Sequence, residues 1–263
     1  MLGKLLKYDL KWVYKVVAIF YILAFIFSII GRVLNEIENS LVFSITAQIA
    51  FGFAISMMAS SLINCLMRLW ARFIKNLFKD ESYLTHTLPV QKNEIYVSKV
   101  IAALITIFTT IVVILICLFI CYYSETNMEV LKTVLELAAS TYNTTVLNLL
   151  LLLSIVIFLE IIFIVLIGYD AIILGHKSNN KKMVKTLFIG FALYMITHLI
   201  TLVAIFVVGL FNPNVMNLIN TTDIIKVDAI KSVMYMGIGI YMVYIIFYYI
   251  LGKLQLKKGV NVD

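Results

Sequence analysis

The 263-residue chain is 63% apolar, only 13% charged and carries a formal net charge of +7, whereas soluble domains are about 25% charged. Its uninterrupted apolar runs exceed the ~20 helical residues that a ~30 Å hydrocarbon core requires, which excludes a water-soluble globular fold. Their uniform apolarity, without alternation over ~10-residue segments, also excludes a membrane β-barrel. The sequence predicts an all-α integral membrane protein with six spans, near 14–31, 41–66, 100–123, 146–168, 187–210 and 232–252. Every connection is shorter than about 35 residues, too short for a separate soluble domain, so one transmembrane domain is expected.

The opening "MLGKLLKYDLKWVYK" places Leu2, Leu5, Leu6 and Val13 on one helical face and Lys4, Lys7 and Lys11 on another. This pattern predicts an amphipathic entry helix over 2–13, lying along the inner leaflet where anionic lipids attract its lysines. The chain is expected to turn from there into the first span. That span is long, is not followed by a small-x-small cleavage site, and reads as retained rather than as a signal peptide.

The second span carries Gln48, Gly52, Ser56, Ser60 and Ser61, small and polar residues that let helices approach closely or line a path. In "RLWARFIKNLFK", Leu69, Phe73 and Leu77 recur every four residues beside Arg68, Arg72, Lys75 and Lys79, so the helix is predicted to continue out of the bilayer. Asp80 or Ser82 can then cap a short new helix, with Glu81 near its start favoured by the helix dipole. Pro89 disfavours helical geometry at Leu88 and ends it. The segment 68–99 therefore reads as helix, break, short helix, stop. Residues 126–142 space Met128, Leu131, Leu135 and Ala138 helically, as an interfacial helix or a lid, whereas the stretch between spans five and six gives no clear pattern.

Charge placement sets the orientation. Seventeen of the 21 Lys and Arg residues lie in the N-terminal arm, the second and fourth connections and the tail; the other side has only Arg32, Lys132, Lys226 and Lys231. The positive-inside rule puts both termini and segment 68–99 in the cytoplasm. The net positive charge is thus a topogenic bias, and no nucleic-acid partner is expected.

Catalytic motifs are missing. No Gly-x-x-x-x-Gly-Lys-Ser/Thr loop exists to cradle a nucleotide. His86, His176 and His198 are too scattered for a zinc site, and Cys65, Cys117 and Cys121 read as small hydrophobes. One intramembrane polar pair stands out. Glu160 and His198 fall about 12 and 16 Å from the inner boundary at ~1.5 Å per residue, so neighbouring helices could join them. An interhelical hydrogen bond is the first reading, and a substrate-path or proton-coupling site the second. Asp170 is expected to mark the membrane interface, and the tyrosines of span six, such as Tyr235 and Tyr249, to form interfacial belts or contact substrate.

"LFKDESYLTHTLPVQKNEIYVSKVIAALI" (77–105) resembles the first cytoplasmic connection of bacterial type-2 ABC exporter permeases. The matching features are the acidic pair Asp80–Glu81, the small Ser82 where glycine is common, Tyr83, Leu84-Thr85-x-Thr87-Leu88-Pro89-Val90, and Ser98-Lys99. The entry helix and the six spans with both ends inside are similar to that family in outline. The resemblance implies a permease subunit without catalytic or metal residues, paired with a second identical or homologous permease. A separate cytoplasmic ATPase would bind ATP and Mg and hydrolyse the nucleotide. Asp80, Glu81, Ser82, Tyr83, Leu84 and Thr85 would form the ATPase-coupling helix, with Tyr83 and Leu84 as its anchors and the charges as rim pairing. An amphipathic or hydrophobic substrate, such as an antimicrobial or cytolytic peptide or a drug, would be exported across the cell membrane, and a Gram-positive host is expected. The rival is a proton-coupled secondary transporter using Glu160 and His198; the absence of broken helices and of a recognisable inverted repeat stands against it.

Overall fold

A computed structural model describes residues 2–37, 41–87, 89–178, 180–211 and 227–258, without the side chains of 86 and 227–233. The described residues form helices and no strand: α1 (Leu2–Asn35), α2 (Leu41–Leu77), α3 (Ser82–Thr87), α4 (Lys92–Tyr122), α5 (Glu125–Thr141), α6 (Val146–Gly175), α7 (Lys182–Phe211) and α8 (Val227–Lys257). Six of them, α1, α2, α4, α6, α7 and α8, are long and apolar enough to cross a membrane, as in a multi-pass membrane protein. Each predicted span falls on one of these six. The predicted helix over 126–142 is α5; it closes where Asn143 takes a left-handed φ of 45°, which asparagine tolerates better than most side chains. Most of the unpatterned stretch between spans five and six lies outside the described residues.

The first helix departs from expectation. No turn separates an entry helix from a span: α1 is one 34-residue helix, about 51 Å long at 1.5 Å per residue. Its buried residues Asp9, Val13, Val17, Ala24, Ser28 and Gly31 recur along a single stripe. That stripe runs through the predicted corner, so both halves pack on the same neighbours and nothing favours a bend. α2 does continue beyond its span, to Leu77, over 37 residues.

The chain divides into two compact units, Met1–Glu129 and Val130–Asp263. In the first, α1, α2 and α4 pack on one another. Small residues line the seams: Ala47, Ala50, Ala54, Ser61 and Cys65 on α2 and Ala102, Ala103 and Thr106 on α4 are all buried, which permits close helix approach. Polar pairs stitch the same seams, with Tyr14 Oη 2.6 Å from Thr109 Oγ1 and Tyr21 Oη 2.6 Å from Thr110 Oγ1. Cys65, Cys117 and Cys121 are all buried free thiols, in keeping with their reading as small hydrophobes.

In the second unit α6 packs against both α7 and α8. Its C-terminal half is buried on nearly every side, from Ile162 to Gly175. Phe163 is the hub of an aromatic cluster, with ring centroids 5.6 Å from Tyr241, 5.8 Å from Tyr244 and 5.8 Å from Tyr248. Tyr248 Oη also lies 2.6 Å from Thr197 Oγ1 on α7. Gly175 allows the closest approach: a Cβ there would stand 2.8 Å from both Cα and N of Thr186. Backbone cannot yield as a flexible side chain does, so Gly175→Ala is expected to destabilise this unit by about 1–3 kcal/mol. A lowered thermal-unfolding midpoint in detergent checks it.

Candidate functional site: a buried ion network and its exposed cap

Asp9 is the residue on which this site is built. It lies four residues before Val13 and eight before Val17, on the buried stripe of α1, and is 3% exposed. A carboxylate at such a position needs paired charges and hydrogen bonds. It has both. Lys99 Nζ on α4 donates to Asp9 Oδ1 at 2.5 Å, Arg72 Nε on α2 donates to the same oxygen at 3.0 Å, and Ser98 Oγ donates to Oδ2 at 3.1 Å.

Arg72 carries the network onward. Its Nη1 donates to Glu81 Oε2 at 2.5 Å, and Asn76 Nδ2 donates to the same oxygen at 3.2 Å and to Thr85 Oγ1 at 2.9 Å. Thr85 Oγ1 in turn donates to the Glu81 carbonyl at 2.9 Å. Asp9 and Glu81 offset Arg72 and Lys99, so the four charges sum to zero. Trp12 lies beneath two of the basic heads, with Arg68 4.7 Å and Arg72 5.6 Å from its ring centroid. One connected set of polar contacts therefore joins α1, the end of α2, α3 and the start of α4.

The short helix α3 sits on this base. Ser82 and Thr85 point inward, 3% and 4% exposed, while Tyr83 and Leu84 point out, 76% and 67% exposed. Beneath the turn leading to α3, Phe73, Phe78 and Tyr96 are fully buried, with Phe73 6.3 Å from each of the other two rings. The helix ends at Thr87, as Pro89 requires; Leu88 itself lies outside the described residues. The six coupling residues predicted from sequence thus divide by role. Ser82 and Thr85 hold α3 down, Glu81 is an ion-network member, and Asp80, Tyr83 and Leu84 face outward. A cleft of about 220 Å³ opens between α1 and α3, with Leu5, Tyr8 and Leu84 at its rim and Asp9, Arg72, Asn76, Glu81 and Thr85 below.

Partial burial alone would raise the Glu81 carboxyl. The Arg72 guanidinium and its hydrogen bond, aided by Asn76 and Lys75, outweigh that effect and hold it below the ordinary carboxylate range.

In the second unit Glu160 and His198 lie about one aromatic cluster: the His198 ring is 6.4 Å from that of Phe163, one turn from Glu160 on α6. Among the described residues no hydrogen bond or ion pair joins Glu160 to His198. His198 places Nδ1 3.1 Å from the Tyr194 carbonyl, and its ring lies 4.1 Å from the Tyr194 ring, tilted by 34°. Asp170 is 1% exposed, and neither carboxylate oxygen has a hydrogen-bond partner among the described residues. That burial comes from α6 packing against both α7 and α8, which hydropathy along one helix does not reveal.

Sequence reasoning missed Asp9. A signal was present, because positions 9, 13, 17 and 24 share one stripe; the lysines beside it drew the reading toward a lipid-facing arm.

Two outcomes follow. Asp9→Asn leaves Lys99 and Arg72 buried without their counter-charge and should destabilise the protein by about 3–5 kcal/mol, with Lys99→Met recovering part of the loss in a double-mutant thermal-melt cycle. Glu81 has a depressed folded-state pKa, so its contribution is present above the unfolded carboxylate pKa and is lost as pH falls through the folded one. Glu81→Gln should therefore flatten the acid side of the stability–pH curve; an unchanged acid limb would show that Glu81 contributes nothing there. No protein-family model, curated protein or solved structure matches this chain.

Proposed function

We propose that this chain is the membrane-spanning permease subunit of an ATP-driven exporter of the type-2 ABC class. Both termini and α3 face the cytoplasm, by the distribution of Lys and Arg. The chain performs no hydrolysis. A separate ATPase subunit binds ATP and Mg and docks on α3, and a second permease, identical or homologous, completes the path for an amphipathic or hydrophobic substrate moving outward.

The observation that carries this reading is the presentation of α3. Tyr83 and Leu84 are large, apolar and 76% and 67% exposed on a six-residue helix at the charged end of the first unit. The hydrophobic anchors of a docking surface are residues of this kind, surrounded by charged rim groups that set register. Asp80 and Lys79 provide such a rim, both being exposed. Beneath them, the bonds from Arg72 to Asp9 and Glu81 tie α3 to α1 and α2. A push on α3 is therefore a push on membrane-crossing helices, which is what a subunit without its own nucleotide site needs.

The exposed position of both anchors makes a clean test possible. Tyr83→Ala combined with Leu84→Ala removes no buried contact and should leave insertion and thermal stability within about 0.5 kcal/mol of the parent. Copurification with the ATPase should be lost, or ATP hydrolysis uncoupled from transport. Undiminished ATPase binding and coupled transport in the double variant would falsify this placement of the contact.

A further inference from the structure

The cleft between α1 and α3 adjoins the exposed face of α3, sharing Leu84 with it, and its chemistry specifies an occupant. Its charged floor is already paired: Asp9 accepts from Lys99, Arg72 and Ser98, and Glu81 Oε2 accepts from Arg72 and Asn76. The other Glu81 oxygen, Oε1, accepts no hydrogen bond among the described residues; Lys75 Nζ stands 3.7 Å from it, beyond hydrogen-bonding length. Above this floor the rim is carbon, from Leu5, Tyr8 and Leu84. The cleft holds about 220 Å³, the liquid volume of roughly seven waters at ~30 Å³ each, which is room for one large side chain.

The surroundings add a sign. Lys4 and Lys7, on the turn of α1 that carries Leu5 and Tyr8, are exposed, as is Lys79 at the foot of α3, so lysines outnumber the one exposed acid beside them, Asp80. Lys75 is 41% exposed.

We infer that the cleft receives an aromatic side chain bearing a hydrogen-bond donor, tryptophan or tyrosine, from a cytoplasmic protein whose flanking residues are acidic. The ring packs between Leu5, Tyr8 and Leu84, its N–H or O–H donates to the unsaturated Glu81 oxygen, and the flanking carboxylates meet the lysines. Aromatic residues with a polar tip suit a half-apolar pocket of this kind. An anionic lipid headgroup does not, because inside the cleft it would meet Asp9 and Glu81, whose counter-charges are already engaged. The inference rests on the reading that a cytoplasmic protein docks at this end of the first unit. It assigns α1 a part of the docking surface, and it makes the permease a receiver of a partner side chain as well as a donor of Tyr83 and Leu84.

The test uses the full chain in phosphatidylcholine nanodiscs and the peptide N-acetyl-Asp-Trp-Glu-amide carrying 5-fluorotryptophan, followed by fluorine NMR. Saturable binding in the millimolar range or tighter is expected, absent from empty nanodiscs. The Lys-Trp-Lys peptide should bind about tenfold more weakly, since its flanks repel the lysine ring. Leu5→Trp, which fills the cleft from its rim, and Tyr8→Ala, which removes an exposed wall, should each weaken binding at least about tenfold. No saturable binding, equal binding by both peptides, or binding unchanged in both variants would overturn the inference. So would displacement of the peptide by glycerol phosphate, which would make the cleft a headgroup site. No ATPase is present in this titration. The cleft can therefore fail while copurification still depends on Tyr83 and Leu84, and the docking reading can fail while the peptide binds.

Discussion

A carboxylate and an ammonium removed from water together must satisfy one another, because each alone costs several kcal/mol in an apolar setting. Asp9 and Lys99, 3% exposed each, impose that constraint on the first unit. Asp9 can reach Lys99 and Arg72 only if the start of α1, the end of α2 and the start of α4 converge. Once they do, Arg72 has a second hand free for Glu81, and α3 is held in place. The hydroxyl and small-residue seams further along α1, α2 and α4 would tolerate small slips in register; a buried ion pair tolerates far less. The network is therefore better understood as a device that fixes geometry than as a source of stability, since well-packed apolar replacements of buried ion pairs often equal them in stability.

The same arrangement explains why α3 can be only six residues long. A helix of that length is marginal on its own, because nucleation consumes most of what its few hydrogen bonds return. Here Ser82 and Thr85 are buried beneath it, and Asn76 and Glu81 bond to it or its entry, so tertiary contacts replace propagation. Its outward residues are then free of structural duty. Tyr83 and Leu84 are exposed not from loose packing but because the inward face alone carries the anchorage. That division lets one short element be a fixed part of the first unit and still present two large apolar side chains outward.

Much of the fold could be read from the sequence. Runs such as 146–168 are so uniformly apolar that length alone identifies a helix able to cross a membrane, and Pro89 marks the end of α3 because its ring restricts the preceding residue. Side-chain period also identified α5 and the continuation of α2 to Leu77. What could not be read were pairings across distance in sequence. Asp9 and Lys99 are 90 residues apart, and each looked like an ordinary charge near a membrane boundary. Lys99 and Arg72 counted toward a topogenic bias that they share with exposed lysines, although both are engaged in the interior. The continuity of α1 was hidden for the same reason: an amphipathic pattern with lysines fits a surface helix equally well until the partner of Asp9 is known. Asp170 shows the converse, a carboxylate near a helix end whose enclosure depends on two other helices.

Amide hydrogen exchange on the intact protein, followed over residues 4–12 and 82–87, tests most directly whether one carboxylate organises this end of the molecule. With Asp9→Asn, both segments should lose protection together, although they are distant in sequence and only one contains the substitution. Faster exchange confined to residues 4–12, with 82–87 as protected as in the parent, would contradict the account.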